Sequence, residues 1–156
     1  MIYLDNAATT RISHEAFEAA LWVLHDDYGN PSSLHQAGVN AAKVVEKARS
    51  QIASYIGATP DEIVFTAGGS EADNLALRGM APYLKKIGKT TIITSMIEHH
   101  AVLHTCEVLE KDGFKVIYMP VDQDGRVDIE ELDRVMQQVK DSLGMVSIMA
   151  VNNEIG

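Results

Sequence analysis

The chain has 156 residues, 46% of them hydrophobic and 22% charged, enough for one domain with a sizeable core. A formal net charge of −9 argues against a nucleic-acid surface, which needs a basic patch. No apolar run reaches the length of a membrane span, and a single cysteine, Cys106, excludes an internal disulfide framework. Met1-Ile2-Tyr3-Leu4-Asp5 lacks the basic start of a secretory signal, so the cytoplasm is the expected compartment.

Ile2-Tyr3-Leu4 is strand-like, and the small polar stretch Asp5–Thr10 behind it reads with it as an N-terminal arm, residues 1–12. Ser13 is placed to cap a helix carrying Ala16, Phe17, Ala20, Leu21, Val23 and Leu24, which ends near Asp26-Asp27-Tyr28-Gly29-Asn30-Pro31. Ser32-Ser33 leads into a long helix with Ala41, Val44, Val45, Ala48, Ile52 and Ile56 on one stripe, stopped by Gly57. After the turn Thr59-Pro60-Asp61, the run Glu62-Ile63-Val64-Phe65 has strand character.

That run feeds Gly68-Gly69, and a helical pattern begins at once, with Ala72, Leu75, Ala76, Met80, Tyr83 and Leu84 spaced for one face. Ser70 with Asp73 reads as an N-cap and its capping-box partner, starting the helix at Ser70. A strand, a glycine turn and a helix N-terminus form a place for an anion, since free N–H groups and the positive dipole end meet there. The alternative is an ordinary βα turn in which the glycines supply only backbone angles.

Thr90–Thr94 is strand-like, with Ser95–His100 as its exit, and a helix through Val102, Cys106 and Leu109 follows. Phe114–Met119 is a further strand, Asp128 with Glu131 opens a helix carrying Ile129, Leu132, Met136 and Val139, and Met145–Val151 is a buried apolar strand. The order β-α-β-α-β-α-β predicts an α/β domain with a mostly parallel sheet and flanking helices. Ligands bind at the carboxyl ends of such strands. Three polar clusters follow strands there: Gly68-Gly69-Ser70, Glu98-His99-His100 and Asn152-Asn153-Glu154.

Each cluster also has a plainer reading. His99 and His100 are adjacent at a helix start, so their rings point apart and a metal pair is not expected; either is a polar helix-start residue, or a ring that lies flat on a planar cofactor. Asn152-Asn153 is a turn, or a source of amide donors for a ligand oxygen. Cys106 shares a stripe with Val102 and Leu109 and reads as a small core residue.

Five ordered stretches resemble the cysteine desulfurases of the NifS and IscS type, within the class V aminotransferase group. They are Tyr3–Thr10, Gly29-Asn30-Pro31-Ser32-Ser33 with His35 and Gly38, Phe65–Asn74, Thr94–Leu103, and Val151–Gly156. The resemblance implies a fold type I large domain that binds pyridoxal 5′-phosphate, usually in a homodimer, with residues 13–156 as the N-terminal and incomplete part of it. It implies that Gly69 and Ser70 hold the phosphate, that His99 stacks on the pyridine ring and helps move protons, and that Asn153 bonds the ring's 3′-oxygen or the substrate carboxylate region. Where Ser70 stands the family usually has threonine, and serine keeps the hydroxyl.

The implied reaction removes sulfur from L-cysteine, giving L-alanine and an enzyme persulfide that serves iron–sulfur cluster assembly or thiolation through an acceptor or scaffold protein. The family's pyridine-nitrogen aspartate, Schiff-base lysine and persulfide cysteine lie beyond the matching stretch. None of Lys43, Lys47, Lys85, Lys86, Lys89, Lys111, Lys115 and Lys140 matches that lysine. The 156 residues alone are therefore expected to be inactive, covering about two-fifths of such an enzyme. Within the group a selenocysteine lyase or an aminotransferase is the alternative. Outside it, a non-catalytic truncated product with a binding role is the rival, and a plain nucleotide-binding domain is disfavoured by the absence of its glycine motifs.

Overall fold

The computed structural model describes residues 2–156, which divide into two compact units at Phe65/Thr66. In the first unit, α1 (His14–Asp26) starts as expected, the Ser13 hydroxyl accepting from the Ala16 N–H at 3.2 Å. Helix α2 (Gln36–Ile56) begins later than Ser32-Ser33 suggests, because the His35 ring takes the capping position and accepts from the Gly38 N–H. The segment before it is closed by backbone contact. A Cβ on Gly38 would lie 2.2 Å from the Ser33 carbonyl oxygen, so only glycine fits the close approach.

A 3-10 turn (Pro60–Glu62) follows α2. The expected strand at 62–65 is not formed. Ile63 has extended backbone angles, but its carbonyl accepts from the Arg49 guanidinium, which also stands 4.9 Å over the Phe65 ring. The segment is tied to α2 instead of to a sheet, and an extended run without a ladder partner is not a strand. Ile2-Tyr3-Leu4 likewise has no ladder partner and is exposed.

The second unit is the α/β part, with α3 (Gly69–Lys86), β1 (Thr91–Ser95), α4 (His100–Lys111), β2 (Lys115–Met119), α5 (Ile129–Gln138) and β3 (Leu143–Ser147) in chain order. The strands form one parallel sheet in the order β2-β1-β3. Central β1 is buried along its whole length, as a strand covered on both faces should be. Leu77, Ala81 and Leu84 of α3 pack with Val102, Cys106 and Leu109 of α4 on Ile92 and Phe114. Burying each of the larger side chains contributes roughly 2 kcal/mol.

Three further elements differ from the sequence expectation. Helix α3 starts at Gly69 with Gly68 as its N-cap and no side-chain cap, so Ser70 and Asp73 do not form a capping box. The Glu71 carboxylate reaches back to the Ala67 N–H at 2.6 Å instead. Second, the stripe expected to face the core is split: Leu84 is buried together with Leu77 and Ala81, while Leu75, Met80 and Tyr83 stay exposed. Third, β3 is displaced toward the N-terminus and ends at Ser147, since past Thr94 the Glu98 carboxylate, not a neighbouring strand, accepts the Met149 N–H.

Candidate active site

The strand order places the site. From β1 the chain crosses through α4 to β2 on one side, then returns through α5 to β3 on the other. The carboxyl ends of β1 and β3 therefore flank a topological switch point, where parallel sheets open a crevice. A cavity of about 290 Å³ lies between these two exits, lined by Glu98, His99, His100, Asn152 and Asn153. A second groove of about 330 Å³ runs between the first turns of α3 and α4, lined by Ser70, Asn74, His99, His100 and Thr105. His99 borders both. The three polar clusters thus meet around one histidine.

His99 is held by its helix. Its Nδ1 accepts the Ala101 N–H at 3.1 Å as the N-cap bond of α4. That engages Nδ1 as an acceptor and leaves Nε2 as the ring nitrogen without a partner among the described residues, on an exposed side chain. The His100 ring lies 6.1 Å away at 83°, the divergence expected of adjacent helix-start residues.

The two asparagines have different tasks. Asn152 is consumed by structure: its amide donates to the Ile97 carbonyl at 2.8 Å, and its oxygen accepts from the Glu154 and Ile155 N–H groups. Asn153 is exposed and its side chain makes no hydrogen bond among the described residues, which leaves both amide functions free toward the cavity.

At α3 the groups are also free. Four helices begin with a side-chain cap, from Ser13, His35, His99 and Asp128; α3 begins without one. The Gly69, Ser70 and Glu71 N–H groups and the Ser70 hydroxyl have no acceptor or donor among the described residues. A Cβ on Gly68 or Gly69 would meet nothing within 4 Å, so packing inside the chain does not require the glycines. Unclaimed donors on a bare helix start suit a dianionic phosphate. The residues present fit pyridoxal 5′-phosphate in this respect.

Sequence reasoning missed two supports. Glu98 is 7% exposed, and its Oε1 accepts from the Ser95 hydroxyl at 2.7 Å and the Met149 N–H at 2.9 Å, joining the β1 and β3 exits beneath the cavity. Thr105 and Asn74 join α4 to α3, their side-chain oxygens 2.9 Å apart. Both are mediocre helix formers at helix-interior positions, which was the available signal. Cys106 is fully buried, and burial, then the Glu110 and Glu98 carboxylates, push its thiol up to about 11. It is a core residue, as its stripe indicated.

Fold and site together define an α/β protein with an uncapped helix start beside a cavity at the sheet's switch point. The pattern of the aminotransferase class-V family matches residues 2–156, and the chain belongs to that family. It is 48% identical over 155 residues to the cysteine desulfurase IscS of Dictyoglomus turgidum, covering 99% of this chain and 38% of that protein. Among solved structures, a NifS-like protein superposes with a TM-score of 0.93 at 44% identity, over 99% of this chain and 42% of that one. SspA in complex with cysteine superposes with a TM-score of 0.87 at 37% identity, over 97% of this chain and 43% of that one. The chain therefore spans about two-fifths of the length of the relatives it matches.

Proposed function

We propose that this chain forms the N-terminal part of a pyridoxal 5′-phosphate-dependent cysteine desulfurase, which takes sulfur from L-cysteine to leave L-alanine and a persulfide on the enzyme. One observation carries the reading: among the α-helices of the described residues, the one without a side-chain cap opens onto the groove that the capping histidine of α4 shares with the switch-point cavity. Cysteine as substrate is supported by the naming of the relatives and by the cysteine complex of SspA.

In this reading Gly69 and Ser70 hold the phosphate through backbone N–H groups, with the Ser70 hydroxyl adding one bond. His99 stacks on the pyridine ring. Because its Nδ1 is engaged by Ala101, Nε2 is the atom at which it gives up or takes a proton. Asn153 bonds the ring's 3′-oxygen or the substrate carboxylate. Bound there, the cofactor supplies an electron sink for bond breaking around the substrate's Cα and Cβ. Cys106 is not the sulfur acceptor, being buried and protonated at neutral pH. Residues 1–12 act as an arm and 13–156 belong to the cofactor-binding large domain of a cytoplasmic homodimer. The sulfur goes to an acceptor or scaffold protein for iron–sulfur cluster assembly or thiolation.

The test is an absorbance titration with pyridoxal 5′-phosphate of the protein purified as its source makes it, beside Ser70→Ala and His99→Ala variants. Ser70→Ala should weaken binding about tenfold, the worth of one charge-assisted hydrogen bond. His99→Ala should shift the bound cofactor's visible band. No binding by the unaltered protein, or binding that neither variant disturbs, overturns the site; failure to release alanine from cysteine overturns the activity.

A further inference from the structure

We infer that the Thr105–Asn74 hydrogen bond is a positioning device that sets the phosphate cradle on α3 against the ring-stacking histidine on α4. The inference rests on the cofactor reading above and deepens it.

Thr105 is 4% exposed, so its hydroxyl must be satisfied inside the protein. It has one proton, placed between the Asn74 Oδ1 at 2.9 Å and the Ala101 carbonyl at 2.7 Å. The Asn74 amide cannot be turned around. Its nitrogen donates to the Ser70 carbonyl at 2.9 Å, and a carbonyl only accepts. Asn74 is therefore held at both ends, by the first turn of its own helix and by the hydroxyl of the next.

No other hydrogen bond joins α3 to α4 among the described residues. The rest of that interface is apolar, with Leu77, Ala81 and Leu84 against Val102, Cys106 and Leu109. The apolar driving force is non-directional, so ridge-into-groove packing sets the longitudinal register of the helices only to within its slack. The hydrogen bond fixes it, and does so near the functional end. Ser70 lies four residues before Asn74, about 6 Å along the axis, and His99 lies six residues before Thr105, about 9 Å. A small slide between the helices would move the cradle relative to the ring while leaving the core buried. Thr105 and Asn74 touch no reacting atom; they act through Ser70 and His99.

Two ligands separate positioning from mere stability. Pyridoxal 5′-phosphate uses both the cradle and the ring site, whereas pyridoxal lacks the phosphate and uses only the ring site. In the protein purified as its source makes it, Thr105→Val keeps the side-chain shape and removes the hydroxyl. It should weaken pyridoxal 5′-phosphate about fivefold to tenfold, leave pyridoxal binding within twofold, and move the melting temperature little. Thr105→Ser, which restores the hydroxyl, should recover at least half of the loss. Equal weakening of both ligands, no weakening of either, or failure of serine to rescue would overturn the inference. Unaltered protein that binds neither ligand would instead overturn the cofactor reading on which it stands.

Discussion

Cys106 shows how one residue type takes its chemistry from its surroundings. Its place on the buried stripe of α4 removes water from the thiolate, and the Glu110 and Glu98 carboxylates add like charge, so the thiol titrates near 11 instead of 9.0. The sign of the stability effect follows. Between pH 9 and 11 the unfolded chain gives up a proton that the folded chain retains, so folding stability falls across that window and is unaffected below it. At pH 8 a thiol-specific disulfide reagent should leave the native protein unmodified and react fully once urea unfolds it. Rapid native-state labelling would mean that the residue is not enclosed in the core. The two asparagines make the same point about surroundings: adjacent and chemically identical, they are separated only by what the β1 exit loop offers to the first of them.

At the scale of elements, the β1–β3 pairing depends on one glycine. The register shifts between Thr91↔Leu143 and Ile92↔Met145, leaving Gly144 as the extra residue. A Cβ there would lie 2.3 Å from the Lys89 carbonyl oxygen and 3.1 Å from a Leu84 methyl group. Gly144→Ala should therefore destabilise the protein by about 1 to 3 kcal/mol, an overpacking cost read from urea denaturation. Gly79 within α3 is the control, because a Cβ there meets nothing within 4 Å, and Gly79→Ala should stabilise by about 1 kcal/mol. Equal effects of the two substitutions would show that the bulge tolerates a side chain. Helix ends were legible at this scale wherever the cap is a local contact, as at Ser13 and Asp128. They were misread at α3, where Ser70 resembles a cap in sequence but lies within the first turn.

For the whole molecule, the exposed apolar surface is the main consequence of the fold. Helix α3 buries Leu77, Ala81 and Leu84, yet Leu75, Met80 and Tyr83 are each more than 40% exposed. The three-stranded sheet also leaves β2 and β3 with one free edge each among the described residues. Apolar patches and free edges of this kind promote association. The 156-residue chain studied alone should gain mass with concentration in light scattering, and Leu75→Lys should reduce that gain. A concentration-independent monomer would show that the stripe is tolerated in water.

The sequence by itself determined the α/β class, the five helices, the three strands that found partners and the order of the motifs, because all of these rest on local periodicity and local caps. Residues 63–65 show the limit. Their composition is that of a strand, but a strand exists only when another pairs with it, and Arg49 took the Ile63 carbonyl instead. The tertiary structure alone decided the strand order β2-β1-β3, and with it the meeting of Asn153 and His99 on one cavity, since parallel pairing joins segments that are far apart in the chain. It also decided which polar residues are occupied. Asn152, Glu98 and Thr105 are committed to hydrogen bonds between elements, while the Ser70 and Asn153 side chains have no partner among the described residues, and no local pattern carries that distinction.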